Sequence, residues 1–195
     1  MSARCPVVCG CDEAGRGPLA GPVYAACCIL DPEKPIAGLN DSKKLVPKRR
    51  EALARVIREQ AVAFAVARVD AAEIDRIGIL NASLQAMVMA VRMLDIAPQL
   101  VLVDGNILPP DMPVAAKAII GGDAIDPNIM AASILAKTSR DAEMMLEHER
   151  YPEYGFDRHK GYGTAAHMLA LASHGPCPIH RRSFAPVRRL VSRLT

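Results

Sequence analysis

Three observations in the sequence predict an α/β fold built on a mixed sheet. Two hairpin-like apolar runs and a third strand-like run open the chain. Helix-like and strand-like segments then alternate, and Gly, Asp and Pro punctuate them throughout. Strands are expected over residues 7–12, 22–30, 63–69, 100–104 and 115–120, runs dense in Val, Ile and Ala. With 195 residues, of which 51 % are hydrophobic, the chain can bury one substantial core but is short for two independent domains.

The helices follow from periodicity and capping. Residues 47–60 place Leu53, Val56 and Ile57 on one face. A short helix follows Asp70, with Asp70 and Glu73 spaced as a capping box. Residues 81–95 carry Leu84, Met87, Val88, Val91 and Leu94 at helical spacing, with Pro98 beyond the end, so this helix should lie buried against the sheet. Asp126-Pro127 supplies an N-cap and a first-turn proline for a helix that should run to about Arg150, where Tyr151-Pro152 stops it. Thr164 caps a further helix, and Gly175 ends it. Pro176 and Pro178 mark a hinge, dividing a main domain, 1–175, from a small basic helical segment, 176–195, packed on it or appended to it.

Composition narrows the class of function. No apolar run approaches the roughly 18 residues of a membrane span. The opening residues run into an apolar stretch with no small-residue cleavage pattern after it, so the expected location is cytoplasmic. The cysteines, Cys5, Cys9, Cys11, Cys27, Cys28 and Cys177, form no Cys-x-x-Cys pair and read as small core hydrophobes rather than zinc ligands. Met87, Met89, Met93, Met144 and Met145 likewise read as core filler. The net charge of +3 hides an asymmetry: 17 basic and 21 acidic residues precede Arg158, whereas seven basic and no acidic residues lie from it onward. Such a basic end suits a polyanionic partner, with Arg181, Arg182, Arg188 and Arg189 the expected phosphate contacts and Arg193 in the same segment.

The chemistry is concentrated at strand ends. Asp12 and Glu13 close the first strand and lead into Gly15-Arg16-Gly17. Strand side chains alternate between faces, so these two carboxylates converge only if the chain turns there, as the glycines permit. The same glycines expose backbone N–H groups and let a sugar–phosphate backbone approach, beside Arg16. A second strand ends in Asp104-Gly105, and a third leads to Gly121-Gly122-Asp123. Each aspartate alone would pass as a turn cap; three strand ends with the same chemistry suggest a cluster. Four carboxylates without His or Cys partners would form a hard oxygen site for Mg²⁺ or Mn²⁺, and two such ions suit phosphodiester hydrolysis.

These residues resemble the type 2 ribonucleases H, the ribonuclease HII family. Asp12-Glu13-Ala14-Gly15-Arg16-Gly17, Asn40-Asp41-Ser42-Lys43-Lys44-Leu45, Val103-Asp104-Gly105, Gly122-Asp123, Ala132-Ser133-Ile134-Leu135-Ala136-Lys137 and His159-Lys160-Gly161-Tyr162-Gly163-Thr164 occur in the family's order, between about Val7 and Phe184. The resemblance implies a ribonuclease H-like fold with a mixed five-stranded sheet, and Asp12, Glu13, Asp104 and Asp123 as the catalytic, metal-holding set. It also implies that Gly15, Arg16 and Gly17 contact a ribonucleotide and its 2′-hydroxyl, assisted by Tyr162. Lys43 and Lys44 resemble the family's phosphate-contacting segment. Ser133 and Lys137, four apart on one helix face, suit contact with one nucleic-acid strand. His159 and His167, candidates for general acid or base, are left unassigned, since a two-metal site does not require one.

The implied activity is cleavage on the 5′ side of ribonucleotides in RNA/DNA hybrids and in duplex DNA, giving 3′-hydroxyl and 5′-phosphate ends. The expected partner is nucleic acid, engaged by a monomer without a membrane; residues 187–195 lack the glutamine-led aromatic motif that docks on sliding clamps. A non-catalytic hybrid-binding protein would need the basic end and glycine loop but gains nothing from clustered carboxylates. A nuclease for DNA junctions would need no sensor for a 2′-hydroxyl.

Overall fold

A computed structural model describes residues 7–194, and of Arg193 and Leu194 only the backbone. Cys5 and the Arg193 side chain therefore lie outside the described residues. Five strands, β1 (Val8–Ala14), β2 (Val23–Ile29), β3 (Ala63–Val69), β4 (Leu100–Asp104) and β5 (Ala116–Ile119), form one sheet in the order β3-β2-β1-β4-β5. β1 pairs antiparallel with β2, and β2 with β3, whereas β1–β4 and β4–β5 are parallel. The parallel half places the C-terminal ends of β1 and β4 side by side, which is where Asp12 and Asp104 stand.

Helices cover both faces. On one, α2 (Ala71–Ile77) and α3 (Ile79–Arg92) pack Ile74, Met87 and Val91 against Cys9, Cys11, Val23 and Cys27. On the other, α1 (Pro47–Gln60) and α4 (Pro127–Arg150) pack Leu53, Ile57, Ile134 and Leu135 against Ala26 and Cys28. Described cysteines are all free and buried, as small core side chains. Of the five methionines expected as core filler, Met87 and Met144 fill core space, but Met89, Met93 and Met145 are exposed. Among the described residues no single helix is long and apolar enough to cross a membrane.

α4 crosses the sheet at Gly10. A Cβ there would lie 2.2 Å from the backbone C of Asn128 and N of Ile129, so only glycine admits this approach. Asp126 caps α4 by accepting from the N–H groups of Asn128 and Ile129, with Pro127 in the first turn. α5 (Phe156–His159), α6 (Ala165–His174) and α7 (Ala185–Leu194) complete the chain. The Thr164 side chain caps α6. The last elements do not stand apart: Val187 and Cys177 join Leu19, Ala20, Phe156 and Leu171 in a third apolar cluster, and His180 bridges to Ala20.

Two local expectations differ. Asp70 makes no side-chain cap bond; Glu73 instead forms a two-pronged pair with Arg76, a cation with a stronger claim on its carboxylate than a backbone N–H. The helix expected at 81–95 begins at Ile79, because Gly78, at φ 81°, breaks the chain between α2 and α3, and it ends at Arg92.

Candidate active site

β1 runs two residues further than the sequence suggested, pairing Glu13 with Ala25 and Ala14 with Tyr24 before the chain turns at Gly15 (φ 103°). Asp12 and Glu13 therefore obey strand alternation. Asp12 shares the α4 face with Gly10, is 3 % exposed, and lies beside Ser133 on α4. Glu13 shares the opposite face with Cys9 and Cys11, and its carboxylate pairs with Arg16 at 3.3 Å.

Three of the four expected carboxylates meet. One oxygen from each of Asp12, Asp104 and Asp123 lies within 4.8 Å of the others; Glu13 is not in this group. Asp104 Oδ1 accepts from the Asp123 backbone N–H at 3.3 Å. The short 3₁₀ turn Gly122–Ala124 brings Asp123 back over β4, with Gly122 packed closely there: a Cβ would sit 2.5 Å from Ile129 Cδ1 and 3.3 Å from Asp104 Oδ1. Burial first, then the charges of Glu13 and Asp104, hold Asp12 well above the usual carboxylate range, against the pull of the Ser133 hydroxyl. Burial, with the charge of Asp123, also raises Asp104, although the backbone N–H of Asp123 pulls the other way.

The surrounding residues divide by depth. Lys43 donates to Asp123 Oδ2 at 3.1 Å; burial lowers its ammonium pKa, but the Asp123 bond and the charges of Asp123 and Asp12 raise it overall. Lys44 is exposed beside it. Ser133 does not face a strand as expected from its helical spacing: it is 2 % exposed, its hydroxyl 2.9 Å from that of the buried Ser42. That pair ties the 40–45 segment to α4 beneath Asp12, a positioning contact that the sequence alone did not distinguish from a substrate contact. Lys137, one turn on, bonds to Asp141 at 2.6 Å. It stands on the wall of a groove of about 1020 Å³ between α1 and α4, lined also by Arg50, Arg55, Arg58, Arg158 and Lys160.

Gly15, Arg16 and Gly17 form the turn after β1, with Arg16 and Gly17 exposed. Tyr162 is 45 % exposed, and its ring lies 3.5 Å from where a Gly17 Cβ would be. His159 and His167 lie beneath it: His167 Nδ1 meets the Tyr162 carbonyl at 2.9 Å, and its Nε2 lies 3.0 Å from His180 Nε2. Burial lowers His167, and burial then the His167 charge bring His180 to about 4, so both rings are neutral structural groups near pH 7.

The basic end corrects one expectation outright. Arg181 is fully buried and cannot reach a phosphate, whereas Arg182, Arg188 and Arg189 are exposed. Arg140, on α4, is buried as well, and nothing in the motif reading marked it. Its only sequence signal was a cation at helical spacing between Ala136 and Met144 on the buried stripe.

The match to known proteins decides the family. The family model described as Ribonuclease HII covers residues 9–187. This chain belongs to the ribonuclease HII family. A ribonuclease HII of Idiomarina loihiensis is 57 % identical over 188 residues, spanning 96 % of this chain and all of the relative. Among solved structures, the ribonuclease H2 of Pyrococcus horikoshii matches with a TM-score of 0.78 at 30 % identity, covering 95 % of this chain and 97 % of that one. The ribonuclease HII of Archaeoglobus fulgidus, solved in a complex with PCNA, matches with a TM-score of 0.72 at 26 % identity, covering 90 % and 93 %. As a ribonuclease HII, the chain is a type 2 ribonuclease H with the ribonuclease H-like fold, an endonuclease acting on nucleic acid with divalent metal.

Proposed function

We propose that this enzyme hydrolyses the phosphodiester on the 5′ side of a ribonucleotide, both in RNA/DNA hybrids and at single ribonucleotides in duplex DNA, leaving 3′-hydroxyl and 5′-phosphate ends. One observation carries the proposal: the Asp12, Asp104 and Asp123 carboxylates meet at the strand ends beside an exposed glycine turn and the exposed ring of Tyr162. A carboxylate cluster repels a polyanion unless cations intervene, and Lys43 is the cation that the protein itself sets against Asp123.

The donor set fits Mg²⁺ or Mn²⁺. All three ligand groups are hard oxygens, and the raised pKa values of Asp12 and Asp104 mark negative charge held at a cost that a divalent cation removes. A pair of such ions supplies water activation on one side of the phosphorus and charge stabilisation at the leaving oxygen. Asp12, Asp104 and Asp123 would hold them. Ser133 and Ser42 hold the Asp12 carboxylate in place from below. Glu13, held by Arg16, acts at this site through its charge on Asp12.

The turn at Gly15, Arg16 and Gly17 would receive the ribose, whose 2′-hydroxyl is the group that tells RNA from DNA. Tyr162 would pack against the neighbouring deoxynucleotide. Lys43 and Lys44 would meet phosphates near the cut, and Lys137 with the groove arginines would carry the duplex backbone farther out.

Matched DNA duplexes with zero, one and four ribonucleotides, incubated with and without Mg²⁺ or Mn²⁺, test the proposal. Metal-dependent cleavage at the 5′ side of the single ribonucleotide is expected. Cleavage confined to the four-ribonucleotide duplex would refute junction recognition, and cleavage without metal would refute the role given to the carboxylates.

A further inference from the structure

Two buried arginines, one on α4 and one in the C-terminal segment, converge on the glycine turn. Arg181, between α6 and α7, donates from Nη2 to the Gly15 carbonyl at 2.7 Å, from Nη1 to Arg16 and Pro18 at 3.0 and 2.8 Å, and from Nε to Gly21 at 2.9 Å. Arg140 donates from Nε to Pro22 at 3.0 Å and from Nη2 to Ala20 at 3.1 Å. Six carbonyls of the 15–22 turn are thus held by two guanidiniums, each 0 % exposed. Gly15 makes room for this: a Cβ would lie 2.2 Å from Arg140 Nε. The Arg140 guanidinium also lies 6.0 Å from the Tyr162 ring centroid, so one side chain serves both halves of the proposed ribonucleotide contact.

Stitching a turn does not by itself require charge. Neither guanidinium forms an ion pair among the described residues, and each lies in the other's field. Burial and then the charge of Arg140 bring Arg181 down to about 9, still cationic near neutral pH. Unpaired buried cations are costly to maintain, and one Arg140 nitrogen, Nη1, has no hydrogen-bond partner among the described residues. On the outer side of the turn, the backbone N–H groups of Arg16 and Gly17 donate to no protein group among the described residues. In a trans peptide the carbonyl and the following N–H point in opposite directions. Drawing the Gly15 and Arg16 carbonyls inward therefore turns the N–H groups of Arg16 and Gly17 outward.

We infer that Arg140 and Arg181 are positioning residues for ribonucleotide recognition: they fix the turn with two N–H donors facing the sugar–phosphate, and they set positive charge directly behind it. The inference rests on the proposal that residues 15–17 receive the ribose. It extends the recognition apparatus from the turn to α4 and to the C-terminal segment, whose basic residues thereby divide into buried and solvent-facing functions.

Wild-type cleavage of the single-ribonucleotide duplex is measured first; its absence would fail the proposed function and not the arginine inference. Arg181→Lys then keeps a charge but cannot reach four carbonyls. With the folded state verified by thermal unfolding above the assay temperature, kcat/KM on the single-ribonucleotide duplex should fall about 30- to 100-fold, while affinity for the all-DNA duplex stays within twofold. Arg181→Met, losing the charge as well, should also weaken all-DNA binding. A folded Arg181→Lys enzyme within threefold of wild type would overturn the inference, as would a loss that merely tracks the unfolded fraction. Should the variants fail to fold, the wild-type protein still decides: amide NMR signals of Arg16 and Gly17 should shift with the single-ribonucleotide duplex, in Ca²⁺ to prevent cleavage, and shift less with all-DNA duplex. Equal shifts, or none, would overturn it.

Discussion

Gly10→Ala tests how far the carboxylate geometry depends on a contact remote from the chemistry. The added Cβ would meet backbone, 2.2 Å from Asn128 C and Ile129 N and 2.6 Å from Asn128 O, and backbone cannot rotate away. Gly10 is not among the positive-φ glycines, so the cost is steric rather than conformational. β1 and the first turn of α4 must separate by about 1.2 Å to restore ordinary contact. Overpacking of this kind costs about 1–3 kcal/mol, and at about 2–4 °C per kcal/mol for a domain of this size the melting temperature should fall by roughly 2–12 °C. Asp12 lies two residues along β1 on the same face, and Ser133, its neighbour, lies one turn along α4, so the separation opens directly between them. Misplacement of a reacting group by about 1 Å costs about a hundredfold in rate. Single-turnover cleavage at 20 °C, with thermal unfolding of the same preparation, measures both effects. A melting temperature within 1 °C of wild type would refute the steric reasoning, and unchanged cleavage in a destabilised variant would refute the coupling to Asp12.

Other expectations concern the site itself. Asp12→Asn or Asp104→Asn should remove nearly all cleavage while hybrid binding, followed by fluorescence anisotropy, stays intact or tightens; normal turnover by either would discard the metal assignment. Burial above all raises Asp12 and Asp104, so their contribution to stability is fullest below the ordinary carboxylate range and is lost as pH rises through the raised values. Divalent cation should therefore stabilise the protein more at about pH 8 than at about pH 5; at a hundred times its dissociation constant the gain is about 2.7 kcal/mol, or roughly 5–11 °C, and a thermal shift that is flat with pH would contradict this. Tyr162→Ala should slow cleavage of the single-ribonucleotide duplex by about ten- to a hundredfold and Tyr162→Phe by less; equal losses would give the hydroxyl, not the ring, the leading part. Neutralising Arg182, Arg188 and Arg189 should flatten the salt dependence of duplex binding by roughly 0.9 log units per lost contact, and an unchanged slope would make these residues a solvated surface.

Local interactions made much of the molecule legible in advance. All five strands, the capped helix from Asp126-Pro127 and the aspartates near the C-terminal ends of β1, β4 and β5 follow from period, caps and turn residues, which act over a few neighbours. Motif order carried the family and the candidate residues. Three outcomes needed the assembled fold. Pairing with β2 carried β1 through Ala14, which sends Asp12 and Glu13 to opposite faces. Packing of α4 over Gly10 buried Ser133, so a residue that reads as a strand contact became a support for Asp12. Arg181 is written identically to Arg182 in a basic run, yet one is buried among carbonyls more than 150 residues away in sequence and the other faces solvent. Charge is a property of a residue, but where it acts depends on which distant backbone groups the fold leaves unsatisfied beside it, and no local pattern encodes that.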